Sequence, residues 1–157
     1  MKTASMTIGT LRTFGFTCAL VFCLAGGLLK AAGEETTLYE RLGGKPAVTA
    51  VASGLVDRIL QDSRVNAWFA HAAASPENAA AYKAKLYDFV CQATGGPCKY
   101  TGLDMVTAHR GRKVTSAAFD AVVEDLVAVL DGLRVPAQEK GELLGLLAPL
   151  KRSIVQP

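Results

Sequence analysis

The sequence predicts an all-α protein, and three observations support that prediction. Apolar residues recur at spacings of three and four along several segments, as they do on one face of an amphipathic helix. Glycines and prolines divide these segments at positions that start or stop helices. No segment keeps up the alternation of polar and apolar residues that is typical of a half-buried strand.

The first 33 residues differ in composition from the rest. Lys2 and Arg12 precede an uncharged stretch over residues 13–29, and small residues and acids follow. This order is typical of a secretory signal peptide, with cleavage expected after Gly33, and it predicts an exported, periplasmic or extracellular protein. A stretch of 17 residues is also at the lower limit for crossing a bilayer. The alternative is therefore an uncleaved N-terminal segment that anchors the protein in the membrane.

Residues 34–157 are enough for one compact domain and too few for two. Three of the 17 basic residues and none of the 14 acidic residues lie in the first 33, so the formal net charge of +3 belongs to that segment. Because the remaining domain is balanced in charge, the sequence predicts no nucleic-acid partner.

Six helical segments are predicted in residues 34–157. The third starts at Ser75 and Pro76, which provide a hydroxyl cap and a proline at the first helical position. Thr115 or Ser116 caps the fifth. The segments are 37–42, 46–60, 76–93, 103–110, 116–131 and 136–154. The fifth has a predicted core stripe of Phe119, Val122, Val123, Leu126, Val127 and Leu130.

Two cysteines, Cys91 and Cys98, flank the sequence Gly95-Gly96-Pro97. This sequence favours a chain reversal that would bring the two thiols close together, and an oxidising compartment would let them pair. The alternative is that they are two small apolar residues without a bond, since the sequence does not give their geometry.

The chain has two histidines, His71 and His109. His109 ends a short amphipathic segment, and Met105 lies four residues before it on the same face. One histidine presented to an apolar pocket in this way can serve as the single axial ligand of a haem.

The order and spacing of several motifs resemble those of group I truncated haemoglobins. The motifs are Leu38-Tyr-Glu-Arg-Leu-Gly-Gly44, Arg58-Ile-Leu-Gln-Asp62, Trp68-Phe69, Gly95-Gly96-Pro97, Tyr100-Thr-Gly102, Met105 and His109-Arg-Gly-Arg-Lys-Val114. The resemblance covers residues 37–155. It implies a truncated two-over-two globin sandwich around one haem b.

The resemblance also implies roles for individual residues. His109 matches the proximal ligand of the haem iron, and Phe69 matches the aromatic residue that packs on the haem face. Tyr82, Lys85 and Leu86 are expected on the haem side of the third helix. The other positions that match haem-lining residues are Met105, Phe89, Val114 and Phe119. Since no Cys-x-x-Cys-His sequence is present, the haem is expected to be non-covalent.

Two positions depart from the usual pattern. Val56 lies where many relatives have a tyrosine that hydrogen-bonds oxygen, and Leu86 lies where relatives often have glutamine. Tyr82 is the candidate that supplies a hydroxyl instead. Lys85 matches a residue that contacts a haem propionate and in some relatives coordinates iron; the propionate role is preferred because a charged amine stays solvated at lower cost.

The function implied by the resemblance is reversible binding of oxygen, nitric oxide or carbon monoxide opposite His109. Nitric oxide detoxification as a dioxygenase would be a further activity and would need a reductase that the sequence does not identify. The alternative is a six-coordinate haem protein for electron transfer or sensing, with Lys85 or His71 at the sixth position. A haem-free helical adaptor is the third interpretation, and His109 in register with Met105 argues against it.

Overall fold

The computed structural model describes residues 36–155, and every regular element in that range is a helix. The predicted signal or anchor segment, residues 1–33, lies outside the described residues. Within them, no helix is both long and apolar enough to cross a membrane. The helices are α1 (Leu38–Arg41), α2 (Gly44–Gln61), α3 (Ala70–Ala73), α4 (Pro76–Ala93), α5 (Met105–His109), α6 (Ser116–Gly132), α7 (Ala137–Leu147) and α8 (Lys151–Ile154). Short 3-10 turns, Asn66–Phe69 and Ala148–Leu150, precede α3 and α8.

The long helices form a two-over-two sandwich. Helix α2 packs against α4 and α6, and α6 also contacts α7 and α8. Helix α1 packs against α7, while the short helix α5 packs against α8. The predicted all-α class is thus confirmed for the described residues.

The turn between α1 and α2 depends on two glycines. Gly43 and Gly44 have φ values of +105° and +64°, a region that glycine enters without steric cost. Helix α2 starts at Gly44, two residues before the predicted start at Pro46. A proline as third residue is tolerated because the first four N–H groups of a helix have no partner within it.

Side-chain caps fix the starts of the two longest later helices. The Ser75 hydroxyl accepts a hydrogen bond from the Asn78 N–H at 3.2 Å, and α4 spans the predicted range. The Thr115 hydroxyl accepts from the Ala118 N–H at 3.1 Å, so Thr115 rather than Ser116 caps α6.

The predicted core stripe of α6 is divided between two faces. Leu126 and Leu130 are buried as expected. Phe119, Val122 and Val123 are partly buried and line a cavity instead. The most buried residues of α6 are Ala118, Ala121, Asp125, Leu126, Val129 and Leu130.

Helices α2 and α6 approach each other closely, which explains the buried face of α6. A Cβ added at Gly54 would lie 3.0 Å from Val129 Cγ1, tighter than ordinary packing. One turn along the same helix, Arg58 Nε donates to Asp125 Oδ1 at 3.1 Å. Asp125 is only 3% exposed, so the guanidinium is the charged partner that makes its burial tolerable.

The last predicted helix is interrupted. The sequence predicts one helix from residue 136 to residue 154, and this prediction is wrong. Pro149 lacks an N–H, and in a continuous helix its ring would clash with the carbonyl four residues earlier. Helix α7 therefore ends at Leu147, and the chain passes through the 3-10 turn into α8.

Candidate functional site

A cavity of about 330 Å³ lies between α2, α4, α5, α6 and the C-terminal segment. Its walls are mainly aliphatic and aromatic. The nine residues that the sequence singled out all line it: Phe69, Tyr82, Lys85, Leu86, Phe89, Met105, His109, Val114 and Phe119. Segments that are more than 50 residues apart in sequence are thus brought to one pocket.

His109 is held in a defined orientation at the end of α5. Its Nδ1 lies 2.8 Å from the carbonyl oxygen of Met105, one turn earlier. Because that carbonyl can only accept, Nδ1 is the donor, and in the neutral ring this leaves the lone pair on Nε2. Helix α5 is capped by Asp104, whose carboxylate accepts from the Thr107 N–H at 2.9 Å.

Phe69 and Tyr82 form an aromatic corner in another part of the lining. The rings of Phe69 and Tyr82 are 5.6 Å apart between centroids and meet edge to face at 76°, which is a favourable arrangement. Burial raises the pKa of Tyr82 to about 12, with a smaller contribution from Tyr100. Its hydroxyl therefore stays protonated at physiological pH. Within residues 36–155 it has no hydrogen-bond partner.

Lys85 and His71 occupy different places. Lys85 lines the cavity, but its side chain is exposed to solvent at the edge. His71 does not line the main cavity; it is exposed and borders a smaller cavity of about 80 Å³ that shares Tyr82 and Lys85. Of the two candidates for a sixth ligand, only Lys85 therefore lines the cavity that holds His109.

Position 56 does not contribute to the cavity. Val56 is fully buried, and its neighbours Leu55 and Ile59 line the cavity in its place. Residue 56 is apolar, as the sequence shows. Because it does not line the cavity, comparing Val56 with the tyrosine of relatives says nothing about the lining of this chain.

Sequence reasoning missed two polar residues of the lining, Tyr100 and Arg112. The Tyr100 ring packs edge to face on Phe89 at 5.3 Å, and its hydroxyl donates to the Leu103 carbonyl at 3.1 Å. Arg112 Nε donates to the Ala108 carbonyl at 2.8 Å. Tyr100 and Arg112 both lie in the motifs that resemble the family. Their distance in sequence from Phe89 and His109 was the signal that could have placed them in the lining.

The connection after α4 is closed by a disulfide between Cys91 and Cys98, with 5.7 Å between their Cα atoms. The Tyr87 hydroxyl lies 3.3 Å from Cys98 Sγ and 3.2 Å from the Tyr39 hydroxyl. A Cβ added at Gly96 would lie only 2.6 Å from Cys91 Sγ, so the loop needs glycine there. Of the two alternatives left by the sequence, the structure has the bonded one.

Comparison with known proteins agrees with this architecture. The family model for bacterial-like globins matches residues 37–156. The group 1 truncated haemoglobin GlbN of Mycolicibacterium paratuberculosis is 33% identical over 121 residues, which cover 77% of this chain and 85% of that protein. The GlbN of Synechocystis is 37% identical over 105 residues, covering 64% and 81% respectively.

Solved structures give the same result. The truncated haemoglobin of Tetrahymena pyriformis in its Fe(III) form has a TM-score of 0.69 at 29% identity, covering 78% of this chain and 100% of that one. The 2/2 haemoglobin of Synechococcus in the cyanomet state, with covalently attached haem, has a TM-score of 0.68 at 28% identity, covering 76% and 98%.

The helical sandwich and its histidine-bearing apolar cavity define a two-over-two globin. The chain belongs to the bacterial-like globin family, and it is similar to relatives named group 1 truncated haemoglobins. Membership of a globin family implies a haem. The residues present fit one, because the cavity offers an apolar wall, an imidazole whose Nδ1 bonds a carbonyl and leaves Nε2 for an iron, and the cation Lys85 for a propionate.

Proposed function

We propose that this protein is a haem-binding truncated haemoglobin that reversibly binds oxygen, nitric oxide or carbon monoxide. The observation that carries the proposal is the hydrogen bond of 2.8 Å between His109 Nδ1 and the Met105 carbonyl oxygen, on a ring that lines an apolar cavity. This bond fixes the tautomer in which Nε2 can hold an iron.

In this proposal His109 is the proximal ligand of a haem b. A haem held there would supply an iron that binds a diatomic ligand. Met105, Phe89, Val114 and Phe119 would exclude water from it. Cys91 and Cys98 are bonded to each other, which leaves neither sulfur free for thioether attachment and supports a non-covalent haem.

Tyr82 is the proposed hydrogen-bond donor to the gas. Its hydroxyl is protonated, it has no competing partner within residues 36–155, and Phe69 holds the ring from the side. A neutral donor of this kind contributes about 0.5–1.5 kcal/mol. In the family that the motifs resemble, a tyrosine or a glutamine donates this hydrogen bond. This chain has Val56 and Leu86 at those positions, so Tyr82 would be the donor instead.

Gas binding is preferred to a six-coordinate redox or sensor function because of Lys85. Its exposed ammonium has no lone pair for iron, and moving it into the apolar cavity would cost its hydration. We assign it to a propionate. His71 lies outside the main cavity, so it would reach the iron only after rearrangement of α3.

Two further proposals concern context. Nitric oxide detoxification rests on the family alone. Converting nitric oxide and oxygen to nitrate consumes one electron, so a reductase is required.

The Cys91–Cys98 disulfide supports export, since such bonds persist in oxidising compartments. The first 33 residues would then either be cleaved off after Gly33 or keep residues 13–29 as a membrane tether.

The test compares the two histidines of the chain. Purified protein is titrated with haem, and ferric, ferrous and carbon monoxide spectra are recorded for the wild type, His109→Ala and His71→Ala. We expect a Soret band that shifts with carbon monoxide in the wild type and in His71→Ala, and a weakened or shifted band in His109→Ala. An unchanged spectrum in His109→Ala would refute the ligand assignment.

A further inference from the structure

The turn that joins α5 to α6 is an exposed basic surface. Arg110, Arg112 and Lys113 are all exposed, and none of them is in a salt bridge within residues 36–155. Many other cations of the domain are paired: Arg41, Arg58, Arg64, Lys83, Lys140 and Lys151. Three adjacent unpaired cations therefore concentrate positive charge at this turn.

Exposed apolar side chains accompany these charges. Leu103 is 61% exposed and Val106 is 50% exposed, the two largest values among the exposed large hydrophobic residues of the described chain. Val106 lies four residues before Arg110, so the two side chains share one side of the short helix. We call Leu103, Val106, Arg110, Arg112 and Lys113 together the α5 patch.

The α5 patch lies on the segment that carries His109, the candidate haem ligand, and its residue Arg112 also lines the cavity. His109 directly precedes Arg110, and Met105 directly precedes Val106; both line the cavity. Two hydrogen bonds hold the turn in place. Trp68 Nε1 donates to the Arg112 carbonyl at 2.9 Å, and Arg112 Nε donates to the Ala108 carbonyl at 2.8 Å.

We propose that the α5 patch docks an acidic one-electron carrier protein, an inference that rests on the haem function proposed above. The carrier would lose one electron and the ferric haem iron would gain it, with no bond formed or broken and no proton transferred. Opposite charges on carrier and patch would steer the encounter, and the short distance from patch to cavity would favour electron transfer.

The size of the α5 patch favours a protein carrier over a lipid surface. Transient redox encounters use small interfaces, and five residues with a few cations and two apolar side chains suit one. Stable attachment to a bilayer surface needs a longer amphipathic helix with a continuous apolar face, whereas α5 has five residues.

The test uses two double variants with equal charge change. Arg110→Glu with Lys113→Gly removes the basic turn. Lys113 has a φ of +52°, which glycine adopts without strain. Lys45→Glu with Arg134→Gly is the control: both cations are exposed and outside any salt bridge within the described range, and Arg134 has a φ of +56°. Arg134 follows the far end of α6, about 25 Å away along the helix.

Two measurements are made on the holoprotein with a plant-type [2Fe–2S] ferredoxin as the acidic probe. Stopped-flow gives the rate at which reduced ferredoxin reduces the ferric protein, and an NMR titration with oxidised ferredoxin maps binding. We expect the patch variant to be slowed about tenfold or more at low salt, with loss of the amide shifts of residues 103–113. The control variant should keep the wild-type reduction rate and the wild-type amide shifts, and added salt should slow the reduction of the wild type.

Several outcomes would overturn the docking proposal. These are a wild-type rate that does not depend on salt, equal slowing of both double variants, or amide shifts elsewhere on the protein. Patch-dependent sedimentation with phosphatidylserine vesicles, without patch-dependent ferredoxin binding, would assign the surface to a membrane instead. A normal carbon monoxide spectrum in these cases leaves the proposed haem function intact, whereas a wild type without that spectrum would refute both.

Discussion

Tyr82 shows how burial and function are connected at the scale of one residue. Its side chain is largely buried, and that burial raises the pKa of the hydroxyl to about 12. Because the hydroxyl has no hydrogen-bond partner within residues 36–155, it is free to donate to one that arrives. A gas ligand opposite His109 would be such a partner.

Tyr82→Phe removes the hydroxyl and keeps the ring that packs on Phe69. We expect the oxygen dissociation rate to rise about two- to tenfold, which is the equivalent of one neutral hydrogen bond. Carbon monoxide dissociation should change much less, because carbon monoxide is a poor acceptor. Stopped-flow ligand displacement measures both rates.

The control is Tyr87→Phe, on the same helix but outside the cavity lining. It should leave both rates unchanged. Because the pKa of Tyr82 is far above neutrality, the wild-type oxygen rate should also be constant from about pH 6 to pH 9. An unchanged rate in Tyr82→Phe would show that another group contacts the ligand.

At the scale of elements, the connection from α4 to α5 links the two sides of the cavity. The disulfide ties Cys98 to α4, and Tyr100 then contacts Phe89 on α4 and the Leu103 carbonyl just before α5. The position of His109 therefore depends on a loop whose first part is covalently closed. Strengthening or weakening that loop should affect haem retention.

Cys98→Ser opens the loop at its more exposed cysteine. We expect a loss of about 2–3 kcal/mol in the free energy of unfolding, the chain-entropy value for a loop of this length, and faster transfer of haem to apomyoglobin. Denaturant titration and the transfer rate measure the two effects.

Reduction of the wild type with a phosphine provides the control for the substitution itself. It should reproduce the Cys98→Ser values, and the same reductant should leave Cys98→Ser unchanged. Equal haem transfer rates in the oxidised and reduced wild type would show that the loop does not position α5.

At the scale of the whole molecule, carboxylates that accept hydrogen bonds from arginines make stability depend on pH. Side-chain hydrogen bonds from Arg64 lower the pKa of Asp62, and those from Arg41 lower the pKa of Glu142. A carboxylate whose pKa is lower in the folded state stabilises the protein at pH values above its unfolded-state pKa. That stabilisation is lost as the pH falls through the folded-state pKa.

We therefore expect the free energy of unfolding to fall between about pH 5 and pH 2. Asp62→Asn combined with Glu142→Gln should flatten that decline and lower stability at neutral pH. Asp88→Asn, at a carboxylate without a salt bridge within residues 36–155, serves as the control and should keep the wild-type slope. Urea titrations across this range give the values, and parallel slopes in all three proteins would contradict the assignment.

The sequence by itself determined the features that depend on neighbouring residues. Ser75 and Pro76 started α4, and Gly43 and Gly95 followed the ends of α1 and α4, because caps, proline rings and positive φ values act within one turn. The resemblance of the motifs to those of a known family likewise pointed to nine residues, His109 among them, that line one cavity.

Tertiary packing alone decided the features that depend on distant segments. The division of the α6 face, the burial of Asp125 beside Arg58, and the choice of Leu55 over Val56 for the cavity wall all follow from how closely α2 meets α6. The Cys91–Cys98 bond and the place of Tyr100 in the cavity lining follow from the path of the loop between α4 and α5. Such contacts join residues whose relative position no local pattern records.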